Sequence, residues 1–208
     1  MTDKMEKFVE DVLSGLDKMG YVKSADIPNI ELYMDQVTTF MDTKLRYMAR
    51  NPEENKILTK TMINNYAKND LLPPPVKKKY SKEHLLLLIF IYYYKGILSI
   101  NDIQTLLKPI TEKYFQNSEG LNFEELYEEV FGLEKGAIET LKKDIVDKSH
   151  IAGETFQEAP EEDREFLQMF SYICLLSFDV YVKKLIIEKM IDSLAEENNT
   201  AECKEKKR

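Results

Sequence analysis

Tryptophan is absent from this 208-residue chain, glycine occurs only seven times, and there are two cysteines and two histidines. Each shortage closes off a class of function. Cys174 sits in an apolar stretch and Cys203 in a charged tail, so the pair makes no metal or redox spacing and suits a reducing, cytoplasmic compartment. His84 and His150 are equally isolated, and no HExxH pattern occurs. The scarcity of glycine removes phosphate-cradling loops and leaves almost no β-hairpin signals, so the expected fold class is mainly α. No nucleophile has a credible base nearby, no acidic pair has a distinctive spacing, and Glu83 and His84, adjacent in sequence, would diverge on a helix. We therefore expect no enzymatic activity, no cofactor and no metal. Residues 85–94 and 166–178 are uncharged runs, but both fall well short of the roughly 20 residues a bilayer requires. They read as core helices. The opening MTDKMEK is charged, so neither an export segment nor a membrane partner is expected.

Hydrophobic residues make up 43% and aromatics 11%, enough for a real core in one elaborated domain or one domain with an appendage. A net charge of −8 argues at first against a nucleic-acid partner. Its distribution reverses the argument locally. Residues 56–84 carry seven lysines and two acids, a balance of +5, and leave −13 for the rest of the chain.

That basic stretch holds the one functional signal. Thr59 can cap a helix running to about Asn69, since its hydroxyl can accept from first-turn amides. At about 100° per residue, Met62, Ile63 and Tyr66 fall on one side, while Lys60, Thr61, Asn64, Asn65 and Lys68 share the other. Asparagine amides can pair with adenine edges in the major groove and lysines can neutralise phosphates, so the outer face has the chemistry of a recognition helix. An ordinary amphipathic surface helix would share the polar face. The residues after Asn69 separate the two readings. Leu71 and Leu72 turn inward, Pro73-Pro74-Pro75 forbids helix, and Lys77, Lys78 and Lys79 come next on a short stiff loop closed by Tyr80, suited to contact with phosphates. Ser81 caps the next helix.

The order of these parts resembles the winged helix-turn-helix domain of MerR-type transcriptional regulators. Thr59 stands at that family's helix cap, Ile63-Asn64-Asn65-Tyr66 at its Leu-Arg-Tyr-Tyr and Asp70-Leu71-Leu72 at its Gly-Leu-Leu. Lys79-Tyr80 stands at its Arg-Tyr, and Ser99-Ile100-Asn101-Asp102-Ile103 at its Ser-Leu-x-Glu-Ile. The phrases LYMDQV, LTKTMINNY and KKKYSKEH look like a bacterial family of unknown function held to be MerR-like in its N-terminal half. The resemblance covers about residues 30–108. It implies a DNA-binding transcriptional regulator with a small β wing at most and a helical C-terminal region. Asn64 and Asn65 would read bases, Lys60, Thr61 and Lys68 would hold phosphates, and Lys77, Lys78, Lys79 and Tyr80 would form the wing contact. The departures are Asn64 for arginine, Asp70 for the turn glycine, and a wing without glycine, so base preference and wing shape do not carry over.

Around this region, residues 4–19 read as a packing helix with Phe8, Val9, Val12, Leu13, Leu16 and Met19 on its inner stripe. Residues 30–50 read as the helix supporting the reader. The interior LLLLIFIYYY of the next helix is apolar all round and needs cover on its far face. The long C-terminal helix or a second subunit is the candidate. Residues 119–165 carry fifteen acids against five bases; Asn122 can cap two helices broken near Gly132 or Gly136, and residues 149–160 read as a loop. Pro160 starts the last and longest helix, rich in Phe166, Phe170, Ile173, Tyr181 and Leu185. Its apolar surface exceeds what one neighbour would cover, and the resemblance to MerR-type regulators implies that it pairs with its symmetry mate, so a homodimer through this helix is expected beside the alternative of a single-chain bundle. The layout is therefore 1–29 packing helix, 30–108 DNA-binding domain, 109–197 helical dimerisation region and 198–208 disordered tail. Double-stranded DNA is the expected partner. The competing reading is a protein-interaction module that keeps the winged-helix shape without reading DNA. A third is a ligand sensor, in which aromatics over 166–181 and 92–94 enclose a small-molecule effector.

Overall fold

The computed structural model of the chain describes residues 3–18, 20–51, 56–117 and 119–205. In chain order, α1 (Asp3–Lys18) precedes β1 (Leu32–Tyr33) and α2 (Met34–Leu45). Then α3 (Lys60–Lys68) and β2 (Lys79–Tyr80) lead to α4 (Lys82–Tyr94), followed by α5 (Ile100–Tyr114), α6 (Phe123–Gly132), α7 (Glu134–Gly153) and α8 (Glu161–Glu205). The protein is mainly helical. Among the described residues the sheet consists of two antiparallel strands, with Leu32 opposite Tyr80 and Tyr33 opposite Lys79. Two compact units are formed, one from Met1–Tyr21 with Val130–Ile187 and one from Val22–Glu129 with Glu188–Arg208.

In the unit containing Val22–Glu129, α4 is the centre. His84 to Ile91 are eight consecutive buried residues, so every side of this helix is covered. Val37, Met41 and Leu45 of α2, Ile63 and Tyr66 of α3, and Ile103 and Leu107 of α5 supply buried apolar side chains to the same unit. Cover for α4 also comes from the acidic segment. Phe90 meets the rings of Phe123 and Tyr127 of α6 edge-on at 6.2 and 5.4 Å, and Phe115 meets Phe123 at 6.1 Å. The Tyr127 hydroxyl donates to the Val22 carbonyl at 2.6 Å, and the Ser24 N–H donates to Glu128 at 2.5 Å. The unit therefore closes at both ends, beyond the 30–108 limits read from the sequence.

The start of α2 differs from expectation for an identifiable reason. The helix expected from residue 30 begins at Met34, because Leu32 and Tyr33 pair with β2. Tyr33 then becomes the N-cap, its N–H donating to Gln36 Oε1 at 2.9 Å. The connection over residues 51–56, longer than a tight turn in sequence, lies mostly outside the described residues.

In the unit containing Val130–Ile187, a core of Met5, Val9, Ile145, Ala152 and Tyr172 joins α1, α7 and α8. Phe8, expected on the inner stripe, is half exposed. The Tyr172 hydroxyl donates to Ile145 O at 3.1 Å, and Lys148 pairs with both Asp144 and Asp179. Residues 149–153, expected as loop, continue α7. Ser149 is buried and satisfies its hydroxyl on Val146 O, one of the ways serine is accommodated inside a helix. The break between α6 and α7 falls at Leu133, and Asn122 caps α6 by accepting from Glu125 N at 2.9 Å. Finally, α8 runs to Glu205, past the residues where the charged tail was expected to be disordered, and residues 206–208 lie outside the described residues. No helix among the described residues is long and apolar enough to cross a membrane.

Candidate nucleic-acid interface

The local chemistry that forms α3 also sorts its faces. Thr59 Oγ1 accepts from Met62 N at 3.2 Å, satisfying one of the first-turn donors. Ile63 and Tyr66 are buried, which turns Lys60, Thr61, Asn64, Asn65 and Lys68 outward, and all five are exposed. The side-chain amides of Asn64 and Asn65 take no hydrogen-bond partner among the described residues. They are open to a ligand.

The helix ends in a Schellman motif. Asp70 adopts φ +53°, and the Leu71 N–H reaches back to Tyr66 O at 2.9 Å. Aspartate here holds the left-handed conformation that glycine usually supplies. Leu71 and Leu72 are buried and anchor the chain, and the three prolines then lead it out to Val76.

From Val76 to Lys79 the backbone makes a two-residue hairpin turn. Val76 N donates to Lys79 O at 3.1 Å, Lys79 N donates to Val76 O at 2.9 Å, and Lys77 and Lys78 lie at φ +50° and +66°. This is the pattern of a type I′ turn, normally built from Asn and Gly. Lysines occupy both strained positions, and their side chains are exposed at the tip. Lys79 is half-buried at the base. Tyr80, expected beside the lysines as a contact, is instead 3% exposed and meets the His84 ring edge-on at 5.5 Å. Inward alternation after Lys79 makes it core.

The hairpin and α3 both contact the segment that runs from β1 into the first turn of α2. Lys60 is ion-paired with Asp35, while Lys79 lies 5.7 Å from the centre of the Tyr33 ring and 3.8 Å from a Glu31 oxygen. One basic group from each element thus meets the five-residue segment 31–35 that leads from β1 into α2. Both ion pairs are exposed, so each is worth at most about 1 kcal/mol and phosphate oxygens can compete for the ammonium groups. Glu31, Tyr33 and Asp35 had no distinguishing mark in the sequence.

Two further lysines in and beside the basic stretch do other work. Lys82 pairs with Glu124 at 2.7 Å. Lys95, just beyond the stretch, donates to Ile57 O at 2.9 Å and lies 4.4 Å over the Tyr92 ring; burial lowers its pKa. Neither is free for a ligand.

Residues 22–130 match the family described as a domain of unknown function, DUF1836. The chain belongs to this family. No curated protein and no solved structure matches it. The DUF1836 match coincides within one residue with the Val22–Glu129 part of one compact unit, which also takes in Glu188–Arg208. Within the DUF1836 domain lie α3, the hairpin, and the segment from β1 into α2 that both contact. The aromatic residues expected to enclose an effector behave differently. Phe166, Phe170, Phe178 and Tyr181 of α8 are each more than half exposed, whereas Tyr172 is buried and Tyr92, Tyr93 and Tyr94 are half-buried.

Proposed function

We propose that this chain is a sequence-specific DNA-binding transcriptional regulator of MerR-like, winged-helix type. What supports the reading above all is the convergence of two basic elements, the capped α3 and the lysine-tipped hairpin, on the first turn of α2 through Lys60–Asp35 and Lys79–Tyr33. In this reading Asn64 and Asn65 meet base edges. Lys60, Thr61 and Lys68 hold the flanking phosphates, and Lys77 and Lys78 contact the backbone next to the groove. Tyr80 supports the hairpin from behind. The acidic remainder of the chain keeps other surfaces from binding DNA.

Asn64→Ala should relax base preference at its contacted position and cost about 1–3 kcal/mol on the preferred site. The check is enrichment of fragmented genomic DNA at near-physiological salt by the native protein and by an Asn64→Ala, Asn65→Ala variant. A motif recovered by the native chain and lost by the variant supports the reading. An unchanged motif in the variant would remove α3 from the reading role.

Asp35→Asn releases Lys60 from its ion pair and should tighten binding to all duplexes a few-fold, the scale of an exposed charge pair. Equal affinities for native and variant would show that Lys60 does not reach a phosphate.

A second reading has its own support. Ile30, Tyr33 and Val76 are exposed apolar side chains flanking the hairpin, at 66%, 54% and 55%. Such a cluster suits a protein partner docked on a winged-helix module that reads no DNA. Substituting Lys77, Lys78 and Lys79 by alanine separates the two, because DNA binding would be lost and apolar docking retained.

The exposed aromatic stripe of α8 supports a homodimer. Phe166 and Phe170 stack at 6.5 Å on the face opposite Tyr172, with Ile173, Val180 and Tyr181 continuing the stripe. A second copy would cover it and make the operator a near-palindrome.

A further inference from the structure

His84 occupies an unusual position for a titratable group. It is 1% exposed at the third position of α4, and the Ser81 N–H donates to its Nδ1 at 3.0 Å, with Ser81 Oγ 2.8 Å from the same atom. A ring nitrogen that accepts from an amide carries no proton of its own, so the neutral ring holds its hydrogen on Nε2. Nε2 is buried beside the Pro73 and Pro74 carbonyls and makes no hydrogen bond of regular geometry with them. The ring is clamped edge-on between Tyr80 at 5.5 Å and Phe115 at 4.8 Å. One side chain therefore caps α4, backs the strand that follows the basic hairpin, and holds the end of α5.

Protonation and this arrangement exclude one another. A second proton would place an N–H on Nδ1, facing the Ser81 amide donor, and would put a positive charge in an apolar pocket. The charged and titratable groups around it do not offset that cost. From the β1 side comes Glu31, also engaged with Lys79; from β2 comes the Tyr80 phenol, which burial keeps neutral. On α4, Glu83 accepts from Gln116 N at 2.9 Å and burial raises its pKa, and Lys82 is paired with Glu124 of α6. The end of α5 presents Phe115. Burial lowers the His84 pKa despite opposing contributions from the Pro74 and Pro73 carbonyls and Glu31.

We propose that His84 is a proton-sensitive positioning residue for the basic hairpin, holding Tyr80 and the Ser81 cap while neutral and releasing both when the ring takes up a proton. The proposal rests on the reading of the hairpin as a DNA contact. Its sign is fixed. A histidine pKa lowered by folding means that the stabilising state is present above the ordinary histidine value of about 6.5 and is lost as pH falls below it toward the folded value. DNA binding should weaken on acidification, opposite to the usual gain when a protein acquires positive charge.

The substitution His84→Gln offers a clean control. With Ser81 three positions ahead, glutamine would complete the ordinary Ser-x-x-Gln capping box without a titrating ring. The experiment measures affinity of the full chain for a mixed-sequence DNA duplex at fixed ionic strength, at about pH 7.5 and about pH 5.5. Native protein, His84→Gln and Glu83→Gln are compared, the last as a control for the half-buried carboxyl next to His84 in the chain. The native chain and Glu83→Gln should lose severalfold on acidification, up to the roughly tenfold that one histidine released to its ordinary value allows between these two pH values, and His84→Gln less than about twofold. Equal losses in all three overturn the proposal. In parallel, the His84 ring and the hairpin amides of Val76 and Lys79 are followed by NMR in the native chain, which has only two histidines. Hairpin signals should move along the His84 titration, and signals that stay fixed while the ring titrates overturn the proposal. If no duplex is bound at any pH, the DNA reading fails by itself and the NMR titration still decides on His84.

Discussion

Replacing Lys77 and Lys78 by Asn and Gly is expected to make the protein more stable and a weaker DNA binder at once. Both lysines are held at positive φ, +50° and +66°, in a turn that Asn-Gly adopts with little strain. A left-handed non-glycine residue costs about 1 kcal/mol or more, so the double substitution should add roughly 1–2 kcal/mol to the stability of the unit that carries the hairpin. The reciprocal Val76–Lys79 hydrogen bonds are backbone bonds and survive the change. If the hairpin contacts DNA as proposed, two phosphate contacts are removed with the lysines. Each contributes about 0.9 to the slope of log affinity against log salt, so the slope should flatten by about 1.8 and affinity at physiological salt should drop by about tenfold or more. Thermal denaturation and salt-dependent binding, measured on the same preparation, test both halves. A rise in stability with unchanged affinity and slope would take the hairpin out of the DNA contact. A loss of stability would contradict the strain argument, whatever happened to binding.

That hairpin also shows why part of the site was hidden in the sequence. A two-residue hairpin is normally recognised by Asn-Gly or Asp-Gly, and here lysines take both left-handed positions, so a run of three lysines read only as a stiff basic loop. Asp70 raises the same difficulty one turn earlier, since it fills the αL position where the resembling family has glycine, and the backbone geometry is kept while the sequence mark is lost. By contrast, α3 was legible. Thr59 is a side-chain cap, and the alternation of Ile63 and Tyr66 with five polar residues needs no tertiary information to sort inside from outside. Its counter-charges were not legible, because Asp35 and Glu31 are brought near Lys60 and Lys79 only by the β1–β2 pairing and the packing of α2 on α3.

The same holds for the core at larger scale. An all-apolar α4 required cover on every side, and the sequence pointed to the long C-terminal helix or a second subunit for it. Phe123 and Tyr127 supply part of it from α6, four residues apart on one helix face and surrounded by acids that mask their period. Composition averaged over residues 119–165 gave a single acidic region. Its first part in fact belongs to the body that carries α3 and the hairpin, and its later part to the other body. Tyr80 obeys the same logic: one position after a basic run it reads as a contact, but the strand's alternation sends it inward to His84.

Phe170→Glu is expected to convert a dimer into a monomer without unfolding the protomer. In the unit that contains Val130–Ile187, α8 packs Met169, Tyr172, Leu175 and Leu176 against the α1 and α7 core, while Phe166, Phe170 and Ile173 face away from it and are 52% or more exposed. Phe170 therefore contributes little to the fold that a glutamate would remove. Burying a phenylalanine is worth about 1.5–3 kcal/mol, and a two-fold interface contains the residue twice. The substitution should therefore weaken association by about 3–6 kcal/mol, roughly two to four orders of magnitude in the dimer dissociation constant. Sedimentation over a range of concentrations reads this directly, with the circular dichroism of native and variant expected to coincide. On DNA, the monomer should protect one half-site where the dimer protects two, separated by about one helical turn or a multiple of it. A native protein that is already monomeric at high concentration would remove the dimer from the proposal. The α8 stripe would then require a different protein as its cover, because five neighbouring apolar side chains left in water form a patch of the kind that marks a binding surface.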